Sequence, residues 1–476
     1  MGPVSMFLLT VATIFVIGVI GELIFERTGV PDVVWLIAVG IVLGPLGHFV
    51  ERSQLMAVAP FFGALTLVVV LFDGGSELRI RDLKEAAPRA SLLALLSFVA
   101  SVGVIAPTSM AAAWAGILPS SWTWLHGITL GTILGGSSSV VVMPALHKAG
   151  LAPRLANLLN LESALTDVLC VVATAACIQI AVSGSTSAAG AAVTLAKAFG
   201  IGFAIGGVAG LLAVLVLRRL KRSHYAYPLT LGTLLVLYVL IDELGGSAAL
   251  GILTTAVMVG NAPELSKAVG LAKTASLGHG VANVHDQITF IIKSFFFTFI
   301  GAMLGPPLSL LLLGTALGVA LLVARMPAVA VATARSPHST PARGLVGVAL
   351  PRGMAAGVLA MMPAQAGIPG TQQLPVVVFA AVLTTILIFA AGFPLMRRRL
   401  VRLDPGALVV NEVLARTARR AADSSFDADA SASVDASGLG VSLPAGAADA
   451  TTVDPAAGLA DESADLAIPL ITESED

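Results

Sequence analysis

The stretch Leu161-Glu162-Ser163-Ala164-Leu165-Thr166-Asp167-Val168 sets two carboxylates inside an otherwise apolar run. A charge at mid-membrane costs about 2.5–3.5 kcal/mol on an insertion scale, so each acid needs a reason to be there. At 100° per residue, positions five apart point about 140° apart, so Glu162 and Asp167 do not share a helix face. Positions four apart do, which lines Ser163 up with Asp167 and Glu162 with Thr166. Arg325, in Leu322-Val323-Ala324-Arg325-Met326-Pro327, lies about as deep in its own apolar run as Glu162 does. A buried pair between them would satisfy both charges. On that pairing Asp167 would be left without a dedicated cation. Desolvation favours the neutral form of a carboxylate. Such a group can hold a proton or a dehydrated cation, and competition between the two couples their fluxes. The competing reading makes Asp167 packing glue, paired with Lys293 or Arg352.

These residues need a membrane to sit in. Of 476 residues, 57% are hydrophobic and 12% charged, and the mean hydropathy is +0.93. A bilayer accounts for that much apolar surface and a soluble core does not. Runs of about 20 apolar residues predict thirteen spans: 5–25, 33–49, 57–72, 90–115, 124–145, 156–182, 190–217, 225–241, 246–260, 287–304, 308–333, 344–364 and 375–396. The first has no basic residue before it and a long apolar core, so it reads as a span and not as a cleaved leader. Cys170 and Cys177 share one apolar run and read as small core residues. No metal-ligand cluster, phosphate loop or nucleophile–base arrangement is present. Neither an enzyme, a cofactor nor a nucleic-acid partner is expected.

Charge sets the expected orientation. Thirteen spans put the termini on opposite sides. With the C-terminus inside, the inner loops hold 19 basic residues, and the outer side only Arg52 and, near a helix end, Lys197. That asymmetry predicts an inner (plasma) membrane protein with its N-terminus outside and its C-terminus cytoplasmic. Residues 1–402 carry 24 basic and 14 acidic side chains; residues 403–476 carry 3 and 14. The second part, rich in Asp, Ala, Ser and Gly, is expected to be a disordered acidic cytoplasmic tail.

Two spans are broken by small residues. Segment five holds Gly135-Gly136-Ser137-Ser138-Ser139, and segment twelve holds Arg352-Gly353-Met354-Ala355-Ala356-Gly357. Seven apart in order, they run in opposite directions, as inverted repeats would. Matched interruptions in two halves point to a transporter's site. Close helix packing through small residues is the competing explanation. Lys293 and Arg352 are placed at the crossing as charges that neutralise helix ends, with snorkelling the alternative for Lys293. Asp73 is expected to cap or be solvated at the end of segment three. His279 and His285 are expected in a solvated inner loop.

An ordered set of short motifs resembles the monovalent cation/proton antiporter superfamily, especially its sodium/proton exchanger branch, over roughly residues 5–400. They are Leu71-Phe72-Asp73-Gly74-Gly75; Glu162-Ser163 followed by Thr166-Asp167; Lys293 through Gly301; Arg325-Met326-Pro327; and Arg352-Gly353. The resemblance implies an all-α fold of about thirteen transmembrane helices. It implies two inverted repeats with crossed discontinuous helices, here segments five and twelve. It also implies a homodimer, elevator-like movement of a core, cation and proton binding at Asp167, and pairing of Glu162 with Arg325. Thr166, Ser163, Ser138 and Ser139 complete the expected cation site. Thr166 stands where the family has Asn or Asp, and a single carboxylate implies electroneutral exchange. Ser137-Ser138-Ser139 replaces a Thr-Asp-Pro element and is similar to the potassium-efflux branch. Sodium or lithium is the favoured cation and potassium the alternative. A gated cation channel and a membrane sensor are the competing functions.

Overall fold

The structure, a computed structural model, describes residues 3–28, 30–50, 52–78, 87–149, 153–183, 188–220, 226–268, 279–334 and 340–403. The described part is all-helical. In chain order the helices are α1 (Pro3–Thr28), α2 (Asp32–Ile41, continued by a π turn Val42–Leu46), α3 (Arg52–Glu77), α4 (Ala87–Trp114), α5 (Trp124–Ile133), α6 (Ser139–Lys148), α7 (Pro153–Ser183), α8 (Ala188–Leu220), α9 (Ala226–Glu243), α10 (Ala248–Gly260), α11 (Ala262–Ala268), α12 (His279–Met303), α13 (Leu308–Ala332), α14 (Thr340–Val348), α15 (Met354–Leu359), α16 (Met362–Gln365) and α17 (Leu374–Leu403).

Among the described residues, eight helices are long and apolar enough to cross a bilayer: α1, α3, α4, α7, α8, α12, α13 and α17. The other five expected spans fall on shorter or interrupted helices, so thirteen crossings do not appear as thirteen long helices. The expected acidic tail lies, from residue 404 on, outside the described residues.

The helices sort into two bundles. In one, α13 packs on α4 and α17, and α4 packs on α5 and α7. In the other, α2 lies against α12, and α10 against α3 and α8. Contacts of α15 with α3, and of α7 with α8, join them. Without a hydrophobic force between helices in lipid, close backbone approach must hold such bundles. The α2–α12 crossing shows it. A methyl group on Gly40 would stand 2.1 Å from the Thr298 carbonyl oxygen, and one on Gly301 2.1 Å from that of Ile37. Hydroxyls inside the helices satisfy themselves locally; Thr298 donates to the Ser294 carbonyl at 2.8 Å.

The two breaks sit where Gly, Ser and Pro deny the helix its ladder. Between α5 and α6, residues Leu134–Ser138 are non-helical. Between α14 and α15 the non-helical stretch is Ala349–Gly353. Here the sequence expectation is corrected. Met354–Gly357 does not break the span; it begins α15. The breaker is Pro351, which has no N–H to give and drives its predecessor out of the α region. Gly357 instead lets α15 approach the Phe296 ring, 2.7 Å from where its Cβ would be.

Candidate cation site at the helix crossing

The two breaks touch. Ser138 N donates to the Pro351 carbonyl at 2.9 Å. Gly353 presses on Ser138, whose Oγ and Cβ lie 2.2 and 2.6 Å from where a Gly353 Cβ would be. Gly353→Ala is therefore expected to push the crossing apart, costing about 1–3 kcal/mol as overpacking and stopping transport. Gly103→Ala in α4, where a Cβ meets nothing within 4 Å, is the control. Unfolding temperature and exchange rate of both variants check it.

Helix α7 holds the first break open from the side. Ser163 Oγ donates to the Ser137 carbonyl at 2.9 Å. Ser137 N donates to Thr166 Oγ1 at 3.2 Å, and that hydroxyl donates to the Ser163 carbonyl at 2.9 Å. Both hydroxyl protons are thus committed to backbone oxygens. Asp167, one residue on, reaches the same place. A methyl on Gly136 would stand 3.2 Å from Asp167 Oδ1 and 3.0 Å from Cys170 Sγ. Ser137 Oγ is buried with no protein hydrogen-bond partner. That orphan hydroxyl, in the same unwound stretch as Gly136, is a group that a dehydrated cation or a water would partner. Ser137 was absent from the residues singled out as ligands, although it belongs to the triple-Ser element. Ser138 is buried and Ser139, the first residue of α6, is half-buried.

Glu162 turns the other way. Its two oxygens accept from Arg325 Nη1 and Nη2, each at 2.8 Å, and Arg325 Nε donates to the Val346 carbonyl at 3.1 Å. The two side chains are 1% and 2% exposed. This fork ties α7 to α13 and to α14.

Arg352 lies in the second break, buried. Its N–H donates to Thr385 Oγ1 at 3.0 Å and its Nη2 to Ser101 Oγ at 3.3 Å. Nε and Nη1 have no protein hydrogen-bond partner. The group feels the charges of Arg325, Glu162 and Asp167. It therefore adds positive potential to the crossing without being locked to one acid.

Lys293, expected to neutralise a helix end at the crossing, is paired with an acid of α2. Its ammonium meets Asp32 Oδ2 at 2.7 Å, and both side chains are largely buried. Asp32 opens α2, where an acid suits the helix N-terminus. It needed no distant partner on sequence grounds and was passed over. His285 is corrected. Helix α12 starts at His279, earlier than the expected 287, so His285 is helical and buried. Its Nε2 lies 2.9 Å from Asp73 Oδ1 and its Nδ1 3.2 Å from the Tyr227 hydroxyl. Phe72 meets the ring edge-on at 5.4 Å. Asp73 is neither a cap nor freely solvated, since α3 continues to Glu77. The side chain of His279 lies outside the described residues.

The profile of the family described as "Sodium/hydrogen exchanger, transmembrane" matches residues 11–398. The chain belongs to the sodium/hydrogen exchanger family. It is 28% identical over 418 residues to the K(+)/H(+) antiporter NhaP2 of Shewanella sp. (strain MR-4), covering 86% of this chain and 69% of that protein. To the K(+)/H(+) antiporter NhaP of Alkalimonas amylolytica it is 27% identical, covering 81% and 65%. The fold matches the sodium proton antiporter MjNhaP1 of Methanocaldococcus jannaschii with a TM-score of 0.66 at 19% identity, over 83% of this chain and 99% of that one. The crossed, discontinuous helices thus belong to the NhaP type of this family's fold, and the chain is a multi-pass membrane protein.

Proposed function

We propose that this family member exchanges a monovalent cation for protons by alternating access, with Asp167 as the group for which the two compete. One observation carries the reading: the Asp167 carboxylate stands against the unwound backbone at Gly136, in the same break that holds the buried, partnerless hydroxyl of Ser137. Ser163, Thr166, Ser138 and Ser139 supply neutral oxygens around it. Potassium is the first cation to test, because the relatives above are named K(+)/H(+) antiporters. Sodium is the second, because the fold neighbour is a sodium proton antiporter. No covalent bond is made or broken, and the transported ions are substrates.

In this reading Glu162 and Arg325 are structural. Arg352 neutralises the carbonyl ends of the half-helices at the crossing and offsets the charge on Asp167. The protein works as a homodimer in the inner membrane, with its C-terminus cytoplasmic. Purified protein in liposomes with a trapped pH dye tests the whole reading. Potassium, sodium, lithium and choline are added in turn. A cation-dependent pH change supports exchange. A cation-selective current without proton movement replaces it with the channel reading.

Stoichiometry follows from the single carboxylate. Thr166 carries no charge, so loading one cation on Asp167 displaces one proton. The exchange rate is expected not to change when a potential is imposed with a lipophilic ion. A rate that tracks the potential, or a net current on a supported membrane, would overturn this electroneutral reading.

A further inference from the structure

Away from the crossing, four cations converge on one cavity. The ends of α1 and α6 and the last turns of α17 enclose about 280 Å³. Arg27, Lys148, Arg397 and Arg398 line it, with Phe25 and Phe393 among its apolar walls, and no Asp or Glu is among the described residues that line it. Lys148, an exposed residue, lies against α1: its ammonium donates to the Phe25 carbonyl and stands 4.9 Å from that ring.

Helix ends explain part of this. Arg27 is in the last turn of α1 and Lys148 ends α6, where cations suit the negative end of the helix. That account does not reach Arg397 and Arg398. Helix α17 runs on to Leu403 and has Arg402 in its last turn. Like charges around a concavity repel one another and focus a positive field, which an anion relieves. Guanidinium pairs match phosphate oxygens in number and geometry. The neighbouring Leu395 is exposed on α17, a membrane-crossing helix. Basic pockets at the ends of such helices suit lipid headgroups.

We propose that this cavity binds a phosphate-bearing anion, and that its occupant is the headgroup of an anionic phospholipid. The site lies on a seam: α1 packs on α2 and α12 of one bundle, whereas α6 packs on α7 and α17 on α13 in the other. An occupant bridging them favours the arrangement of bundles in which the four cations converge. None of this depends on which cation is exchanged.

The test uses the full chain in detergent. Phosphatidylglycerol, phosphatidylethanolamine or inorganic phosphate is titrated in, while unfolding temperature and lipid bound by native mass spectrometry are followed. Phosphatidylglycerol is expected to stabilise and phosphatidylethanolamine not. Arg397→Gln with Arg398→Gln should raise the half-saturating phosphatidylglycerol concentration roughly 30-fold, with an unchanged unfolding temperature in phosphatidylethanolamine. Arg397→Lys with Arg398→Lys should retain most of the effect. If the Gln pair does not fold, Arg27→Gln with Lys148→Gln probes the opposite wall. Inorganic phosphate reproducing the full shift would keep the anion site and overturn its lipid source. Equal shifts from both lipids, or an undiminished phosphatidylglycerol shift in both Gln pairs, would overturn the site.

Discussion

Asp167→Asn is expected to reduce cation-coupled proton flux to the level of protein-free liposomes while the protein still folds. The amide keeps the size and most of the shape of the carboxylate, so α7, the bond from Ser163 Oγ to the Ser137 carbonyl and the bond that Thr166 Oγ1 accepts from Ser137 N should persist. What is lost is the capacity to carry a proton on one half-cycle and a charge on the other. An amide oxygen can touch a cation but has no proton to exchange for it. The surrounding Ser oxygens are neutral and cannot substitute, and Arg352 then faces an uncompensated crossing. All cations should fail together, which separates this outcome from a change of selectivity. Monodisperse protein with an unfolding temperature near that of the wild type is the required control. Cation-dependent pH change at the wild-type rate in such protein would remove Asp167 from the mechanism.

Much of this architecture is local information. Apolar runs of membrane length, a Gly-Gly-Ser-Ser-Ser interruption and two acids in a buried helix are all readable along the chain, and the depths of Glu162 and Arg325 already match in sequence. The second break was placed too late because Gly and Ala drew attention from Pro351. Gly allows a break, but a proline with no N–H and a restricted predecessor imposes one. The pairs that were missed are long-range. Asp73 and His285 are 212 residues apart, and Asp32 and Lys293 join the start of α2 to the middle of α12. Each of these residues has an ordinary local explanation: a helix-end acid, a loop histidine, a snorkelling lysine. Nothing local ranks those explanations below a partner brought in by tertiary packing. Ser137 was missed for a related reason. Only the folded structure shows which of three consecutive hydroxyls has its oxygen fully buried without a protein partner.

Arg325→Ala is expected to destabilise the protein by about 3–5 kcal/mol, the usual cost of removing one partner of a buried pair. Glu162 would keep its charge at 1% exposure with both forked bonds gone, and the Val346 carbonyl would lose its donor. Removing both charges is a different operation. Arg325→Met with Glu162→Gln leaves no uncompensated ion, and its thermal stability should recover most of the loss. The single variants should not be equal. Glu162 feels two cations, Arg325 and Arg352, whereas Arg325 has a single carboxylate partner and a like charge nearby. Glu162→Gln therefore strands Arg325 beside a like charge, Arg352, which keeps only Asp167 as a carboxylate. Arg325→Met strands one carboxylate that Arg352 still partly neutralises. The expected order of stability is double variant, then Arg325→Met, then Glu162→Gln. A double-mutant cycle on unfolding temperature in one detergent measures the coupling. Strict additivity would show that the fork contributes no interaction energy. A Glu162→Gln protein more stable than Arg325→Met would show that Arg352 does not share in the balance.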